Sequence, residues 1–179
     1  LKGELMFQEF LALKDVNLEV KKGESWGLIG TNGSGKSTLL KLICGILKPY
    51  KGAVEVHGKI APLIELGAGF DPQLTARENI YLNGALLGHK KAFMDRHFNE
   101  IIEFAELGDF IDVPIKNFSS GMAARLGFAV ATIVKPDILI VDEVLAVGDI
   151  AFQEKCRKRM ESLLKDGTCL LYTSPSPRD

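Results

Sequence analysis

The sequence predicts an α/β protein in which strands and helices alternate around a parallel sheet. Short apolar stretches that fit strands, such as residues 25–29 and 138–141, alternate with stretches of helical spacing. A glycine-rich loop over residues 30–37 follows the first of these strands directly and leads into a helix. The stretch 138–141 is wholly apolar, which is typical of a strand buried on both faces of a sheet, and two acids follow it directly.

Composition limits the classes of protein that fit. The chain has 179 residues, of which 46% are hydrophobic and 25% are charged, as in an ordinary compact domain. A net charge of −1 provides no general basic field, so we expect no nucleic acid as a partner. No apolar run approaches the roughly 18 residues of a membrane-spanning helix. The three cysteines have no paired or metal-binding spacing and are predicted to be free thiols.

The remaining elements follow from periodicity and from local signals. Loose alternation over residues 11–20 predicts a strand, and residues 53–56 and 60–64 predict further strands, so we expect a small antiparallel β portion at the N-terminal end. Residues 75–116 have helical spacing and open with a capping box, in which a Thr and the Glu three positions later satisfy backbone N–H groups reciprocally. They predict a helical subdomain within a domain that covers residues 1–168.

The glycine-rich loop fits the phosphate-binding pattern G-x-x-x-x-G-K-[ST] of P-loop NTPases. Glycines let the backbone N–H groups converge on phosphate oxygens, and the following helix presents its positive end. Lys36 is expected to reach the β- and γ-phosphates of ATP and to act in catalysis, and the Ser37 hydroxyl to ligate Mg²⁺. The predicted ATP-binding residues here are Gly30, Thr31, Asn32, Gly33, Ser34, Gly35, Lys36, Ser37 and Thr38.

The two acids after the apolar strand are the second chemical signal. Ligands of open α/β sheets bind at the carboxyl ends of the strands, where Asp142 and Glu143 lie in sequence. Asp142 is predicted to hold Mg²⁺ through water, and Glu143 to accept a proton from the attacking water. Two acids at a strand end also fit a solvated strand end, but the phosphate-binding loop in the same chain favours the catalytic interpretation.

A third segment points to a family. Phe118-Ser119-Ser120-Gly121-Met122, followed by Arg125, resembles the signature L-S-G-G-Q of the ABC ATPases, with Phe for Leu, Ser for the first Gly and Met for Gln. Without that resemblance, the two serines fit an ordinary helix N-cap. The resemblance implies that Ser119, Ser120 and Gly121 contact the ATP held by a partner's phosphate-binding loop. Asp149 stands where the family has an aspartate that contacts the site.

Three longer stretches narrow the resemblance. Residues 67–84, 117–131 and 142–149 are similar to the ATPase subunits that export O-antigen, capsular polysaccharide or teichoic acid, within a likeness that spans residues 8–168. The resemblance implies a homodimer that binds ATP and Mg²⁺ beneath a separate multi-span permease, on the cytoplasmic face of the bacterial inner membrane. ATP hydrolysis would then power the export of a lipid-linked polysaccharide.

Two positions depart from the general ABC pattern. The glutamine expected just before Gly67 is absent, and Glu65 is the nearest polar residue, either a Mg²⁺ or water contact or a solvated strand end. Phe7 and Phe10 are available as the aromatic side chain that stacks on adenine in many members.

Two other functions are known for ATPases that resemble this sequence or share its phosphate-binding loop. ABC-type ATPases that act on chromosomes carry long coiled coils between the phosphate-binding loop and the acids, and those that act on ribosomes carry two ATPase halves. Neither feature occurs in this sequence. A module that binds nucleotide without hydrolysis is the other alternative, and Glu143 argues against it.

Both ends of the sequence look artificial. The chain opens on Leu1 rather than Met, so we expect an N-terminal piece to be missing. Residues 169–179, CLLYTSPSPRD, resemble a translated sequencing adapter joined to a broken reading frame, and we predict a non-native tail. In ABC ATPases a switch histidine follows the strand expected here, but residues 169–179 contain no histidine. We therefore expect this exact chain to be inactive in ATP hydrolysis.

Overall fold

Four strands form one parallel sheet in the part of the chain that the structure describes. The structure is a computed structural model that describes residues 10–64, 69–142 and 148–174. The spatial order of the strands is β1-β4-β3-β2, and neighbouring strands are parallel throughout. The strands are β1 (Ser25–Ile29), β2 (Ile60–Leu63), β3 (Ile138–Val141) and β4 (Cys169–Ser174). The predicted α/β fold with a parallel sheet is confirmed.

The residues that the structure describes form five α-helices. They are α1 (Lys36–Ile43), α2 (Ala76–Leu86), α3 (Lys91–Ala105), α4 (Ser120–Thr132) and α5 (Ile150–Lys165), with short 3₁₀ turns at Gly108–Phe110 and Ile115–Asn117. None of the helices in the described ranges has the length and apolarity that a bilayer crossing requires.

The sheet is buried on both faces because side chains alternate along each strand. On β3, Leu139 and Val141 pack with Phe128 of α4 and Phe152 of α5. Ile140, between them, belongs to a separate cluster on the opposite face together with Leu40 of α1, Leu171 of β4 and Ile64, which directly follows β2. The sheet therefore fixes α1 on one side and the pair α4 and α5 on the other.

The segment 75–116 leaves the core and returns to nearly the same point. Thr75 forms an isolated antiparallel bridge with Pro114, so the two ends of the segment are neighbours. The capping box is present: the Glu78 backbone N–H donates to Thr75 Oγ1 at 3.2 Å, and the Thr75 backbone N–H donates to Glu78 Oε2 at 2.8 Å. The helices of this segment share their core with α4, which contributes Leu126 and Ala129 to it.

The antiparallel portion expected at the N-terminal end is not formed by the described residues. Residues 10–24 and 48–59 contain no strand in the structure. Leu18 and Val20 do pack against the α1 side of the core, but from an irregular backbone. Alternation determines which side chains face the core, whereas a strand also needs a neighbour with which to form a hydrogen-bonded ladder.

The sheet also differs from the expectation that the fold stops near residue 168. Residues 169–174 form β4, which lies between β1 and β3 and buries Cys169, Leu171 and Thr173. An alternating apolar and β-prone segment fits a central strand whatever its origin. The non-native origin of residues 169–179 stays a prediction, and residues 175–179 lie outside the described ranges.

Candidate nucleotide site

A cleft of about 540 Å³ opens at the carboxyl ends of β1 and β3. Residues 32–38 of the predicted phosphate-binding loop line it, together with Phe10, Ala12 and Asp142. Phe10 is the predicted aromatic candidate that falls within the described residues, and its ring is exposed at the cleft. Phe7, the other candidate, lies outside them.

Glycines allow the loop to take its shape. Gly33 and Gly35 have positive φ angles of 78° and 93°, which side-chain-bearing residues rarely adopt. A Cβ atom on Gly35 would lie 2.9 Å from both the Ala12 carbonyl oxygen and a methyl carbon of Leu13. The loop therefore packs closely on residues 12–13 just where α1 begins. No side chain caps that end of α1, where the first N–H groups of a helix have no acceptor within the helix itself.

The Lys36 side chain folds back across the loop. Its ammonium group donates to the carbonyl oxygens of Gly30 and Thr31, the latter at 2.9 Å. The loop itself is tightened by a turn in which the Ser34 N–H donates to the Thr31 carbonyl at 3.2 Å. A positive charge thus lies against Gly30 and Thr31, directly before the loop residues that line the cleft.

Asp142 is held at both of its carboxylate oxygens. The Ser37 hydroxyl donates to Asp142 Oδ2 at 3.3 Å, and the Thr173 hydroxyl donates to Asp142 Oδ1. The sequence motifs do not point to Thr173, which lies in the segment 169–179 that is predicted to be non-native. The strand register explains its position: Val141 pairs with Tyr172, so Asp142 and Thr173, the next residue on each strand, are also adjacent.

The pair of Ser37 and Asp142 fits a magnesium ion. Mg²⁺ prefers hard oxygen ligands and is commonly bound by one or two carboxylates together with substrate phosphates. Here a hydroxyl and a carboxylate oxygen lie 3.3 Å apart at the rim of the cleft. Across residues 10–64, 69–142 and 148–174, no cluster of three or more His, Cys, Asp or Glu side chains could hold a metal unaided. Glu65 and Glu143 lie outside the described residues.

The predicted signature residues stand apart from this cleft. Ser119 is the N-cap of α4 and accepts a hydrogen bond from the Met122 N–H at 3.2 Å. Ser120 and Gly121 form the first turn of that helix, and a Cβ atom on Gly121 would meet nothing closer than Ser119 Oγ at 3.8 Å. Ser119, Ser120 and Gly121 do not line the cleft of their own chain.

Asp149 begins α5 and is likewise outside the cleft. Its carboxylate caps the helix by accepting from the Phe152 N–H at 2.9 Å, and it pairs with Arg125 at 2.7 Å. The Phe152 N–H foremost, and then the Arg125 guanidinium, hold the pKa of Asp149 below its ordinary value. The structure therefore brings together the loop and Asp142, while Asp149 and the residues from Ser119 to Gly121 occupy the starts of two other helices.

A glycine-rich loop between a parallel strand and a helix, with its lysine and an aspartate at one cleft, defines a P-loop nucleotide-binding ATPase. Residues 13–146 match the sequence model of the ABC transporter family, and the chain belongs to that family.

Relatives and solved structures agree with this assignment. The O-antigen export system ATP-binding protein RfbB of Klebsiella pneumoniae is 53% identical over 172 residues, which cover 96% of this chain and 70% of that protein. The teichoic acids export ATP-binding protein TagH of Enterococcus faecalis is 47% identical over 93% of this chain and 37% of its own length. The ATP-binding cassette MJ0796, in a dimeric post-hydrolysis state bound to ADP and Pi, superposes with a TM-score of 0.80 at 27% identity, over 96% of this chain and 83% of that chain. The chain is an ABC-type ATPase domain.

Proposed function

We propose that the protein hydrolyses Mg-ATP as a homodimer and thereby powers the export of a lipid-linked polysaccharide through a separate membrane permease. The observation that carries the ATPase chemistry is the convergence of Lys36, Ser37 and Asp142 at one cleft. Two relatives are named as O-antigen and teichoic acids export proteins, and these names support a polysaccharide as the transported substrate.

Each residue of the cleft has a distinct task in this proposal. The N–H groups of the loop and the Lys36 ammonium bind the β- and γ-phosphate oxygens, and Phe10 packs against the base. Ser37 and Asp142 hold Mg²⁺, which supplies positive charge to the phosphate oxygens when it is bound. Glu143, directly after Asp142 in sequence, takes the proton of the attacking water.

The position of the signature residues, away from the cleft of their own chain, supports a dimer. Ser119 and Gly121 stand at the start of α4, with open space around the glycine, yet they do not line the cleft of their own chain. In a two-fold dimer, the same surface of each copy can cover the cleft of the other. The dimeric MJ0796 cassette supports this arrangement for a chain of the same fold. The dimer would bind the permease at the cytoplasmic face of the inner membrane as a peripheral subunit.

Replacing Lys36 with Ala at the source locus tests the export role. We expect the cell surface to lose the polysaccharide and the lipid-linked precursor to accumulate inside, as measured by immunoblotting of surface and membrane fractions. Lys48→Ala, an exposed lysine outside the cleft, is the matched control and should leave export intact. Normal surface polysaccharide in the Lys36→Ala strain would contradict the export role.

An ATPase that acts on ribosomes or chromosomes is not favoured, because the relatives at about half identity are named as export proteins. Under that alternative, the Lys36→Ala strain would keep its surface polysaccharide and show altered ribosome profiles or nucleoid morphology.

A further inference from the structure

Glu106 ends α3 in an unusual backbone conformation. Its φ and ψ angles are 58° and 43°, in the left-handed region, and Asp15 is the other residue besides glycine with positive φ in the part of the chain that the structure describes. Helix ends of this kind usually carry glycine, because a Cβ atom is disfavoured there. A glutamate at this position points to a requirement for its side chain.

The Glu106 carboxylate joins two other helices. One oxygen accepts from Arg125 of α4 at 2.7 Å, and the other accepts from Lys155 of α5 at 3.1 Å. Lys155 also donates to the carbonyl oxygens of Glu103 and Phe104 at 3.2 and 2.8 Å, so it caps the C-terminal end of α3.

Arg125 extends the connection to the start of α5. While one of its nitrogens binds Glu106, another donates to Asp149 at 2.7 Å. Its guanidinium lies over the buried ring of Phe152, 4.7 Å from the ring centre, and its side chain is only 17% exposed. A planar guanidinium held between two carboxylates and an aromatic face has little freedom to move. The series Glu106–Arg125–Asp149 therefore links three helices.

We propose that Glu106 and Arg125 are positioning residues of the ATPase reaction. They fix Asp149 at the start of α5 relative to the α4 helix that begins at Ser119, so that both helix starts meet the partner's nucleotide as one unit. The inference rests on the proposed function, because it is the partner's nucleotide that these helix starts are proposed to reach. The hydrogen bonds and ion pairs of this series involve no residue of the phosphate-binding loop, so nucleotide capture by one chain should not depend on it.

Glu106→Gly is the sharpest test, carried out in the full-length protein. Glycine suits the left-handed backbone, so the melting temperature should stay level or rise although both ion pairs are lost. We expect kcat to fall by roughly tenfold to a hundredfold, the scale for a misplaced catalytic group, while the Kd for ATP of a single chain is unchanged. Arg125→Lys, which keeps the charge but cannot bridge two carboxylates in the same way, should lower kcat similarly.

Glu103→Gln removes an exposed acid from the same helix and serves as the matched control. Wild-type kcat in Glu106→Gly would overturn the inference. A lower kcat accompanied by weaker ATP binding would also overturn it, because the defect would then lie in the loop or in the fold. Failure of the proposed function would look different: wild type itself would hydrolyse ATP no faster than Lys36→Ala.

Discussion

The hydroxyl of Ser37 lies 3.3 Å from the carboxylate of Asp142, although the two residues are 105 positions apart in the chain. Ser37 is in the first turn of α1, and Asp142 directly follows β3. In the sheet, β4 lies between β1 and β3. They meet because the carboxyl ends of parallel strands share one edge, and α1 begins directly beyond that edge. Two oxygen ligands suited to Mg²⁺ thereby reach the cleft that the phosphate-binding loop lines.

Asp142→Asn should uncouple magnesium from catalysis. The amide keeps the size of the side chain but loses the charge, so we expect Mg²⁺-dependent turnover to fall by roughly 10²–10³-fold, the scale for removing one electrostatic group from a reacting centre. ATP binding measured without Mg²⁺ should change little. Asp109→Asn, an exposed acid outside the cleft, is the control. Equal stimulation by Mg²⁺ in wild type and Asp142→Asn would contradict this role.

Two glycines of the loop offer a matched pair. Gly33 and Gly35 both have positive φ angles, so alanine should cost about 1–2 kcal/mol of backbone energy at either position. Only at Gly35 does the added Cβ atom overlap residues 12 and 13, because the space around Gly33 is open. Gly35→Ala should therefore lower the free energy of unfolding, and the affinity for ATP, more than Gly33→Ala does. Denaturant titration measures the free energy of unfolding, and binding of a fluorescent nucleotide measures the affinity. Equal losses in Gly33→Ala and Gly35→Ala would show that contact with residues 12 and 13 does not shape the loop.

Variants at Gly121 and Ser119 can distinguish an effect on folding of one chain from an effect on closure of the dimer. Gly121→Ala places a good helix former in the first turn of α4, where the structure leaves room, so the stability of one chain should not fall. Activity should fall if the partner's ATP approaches that turn. A bulky Ser119→Arg change should block closure, and mixing it with Lys36→Ala should restore one intact site per heterodimer.

Light scattering with ATP measures closure of the mixed dimer. If neither Gly121→Ala nor Ser119→Arg changed activity or closure, a site shared between two chains would be ruled out.

The three thiols should be poorly reactive in the folded protein. Burial raises the pKa of Cys44 to about 11 and that of Cys156 to about 12, and it also raises the pKa of Cys169. Since the thiolate is the reactive form, labelling with a disulfide reagent near pH 8 should be slow, and slowest at Cys156. All three thiols should react at once in concentrated guanidinium chloride. Rapid labelling of Cys156 in the native protein would contradict its burial against the sheet.

Local signals predicted much of the fold. The strand at 25–29 and the helix beginning at Lys36 lie where periodicity and the loop motif placed them, because each is defined by adjacent residues. The capping box fixed the start of α2 for the same reason. The strand predicted over residues 11–20 did not form, since alternation cannot show whether a partner strand is present. Residues 169–174 belong to a segment whose unusual sequence predicts a non-native tail, yet their alternation suffices for the central strand β4.

The site was predictable to the extent that it is encoded in short motifs. Lys36, Ser37 and Asp142 each belong to one, and the parallel sheet brings them together. Thr173 and Glu106 belong to none, because their contacts depend on the register of two strands and on the crossing of three helices. Such contacts between distant segments have no signature in a single sequence.

Glu143→Gln should separate binding from turnover. The amide cannot accept a proton, so kcat should fall by roughly 10²–10⁴-fold, the range for general-base catalysis, while ATP affinity is retained. The lost negative charge should also favour an ATP-bound dimer, which size-exclusion chromatography with light scattering detects. Turnover close to wild type would exclude Glu143 as the base.

The most direct test of the account is the rate of Mg²⁺-dependent phosphate release from ATP by the full-length protein, compared between wild type and Lys36→Ala. If the cleft is the ATPase site, wild type should release phosphate continuously, and Lys36→Ala should be reduced by at least about 10²-fold, since the ammonium proposed to stabilise the γ-phosphate is lost. Lys48→Ala should match wild type. Equal rates of phosphate release in wild type and Lys36→Ala would contradict the central claim that this cleft hydrolyses ATP.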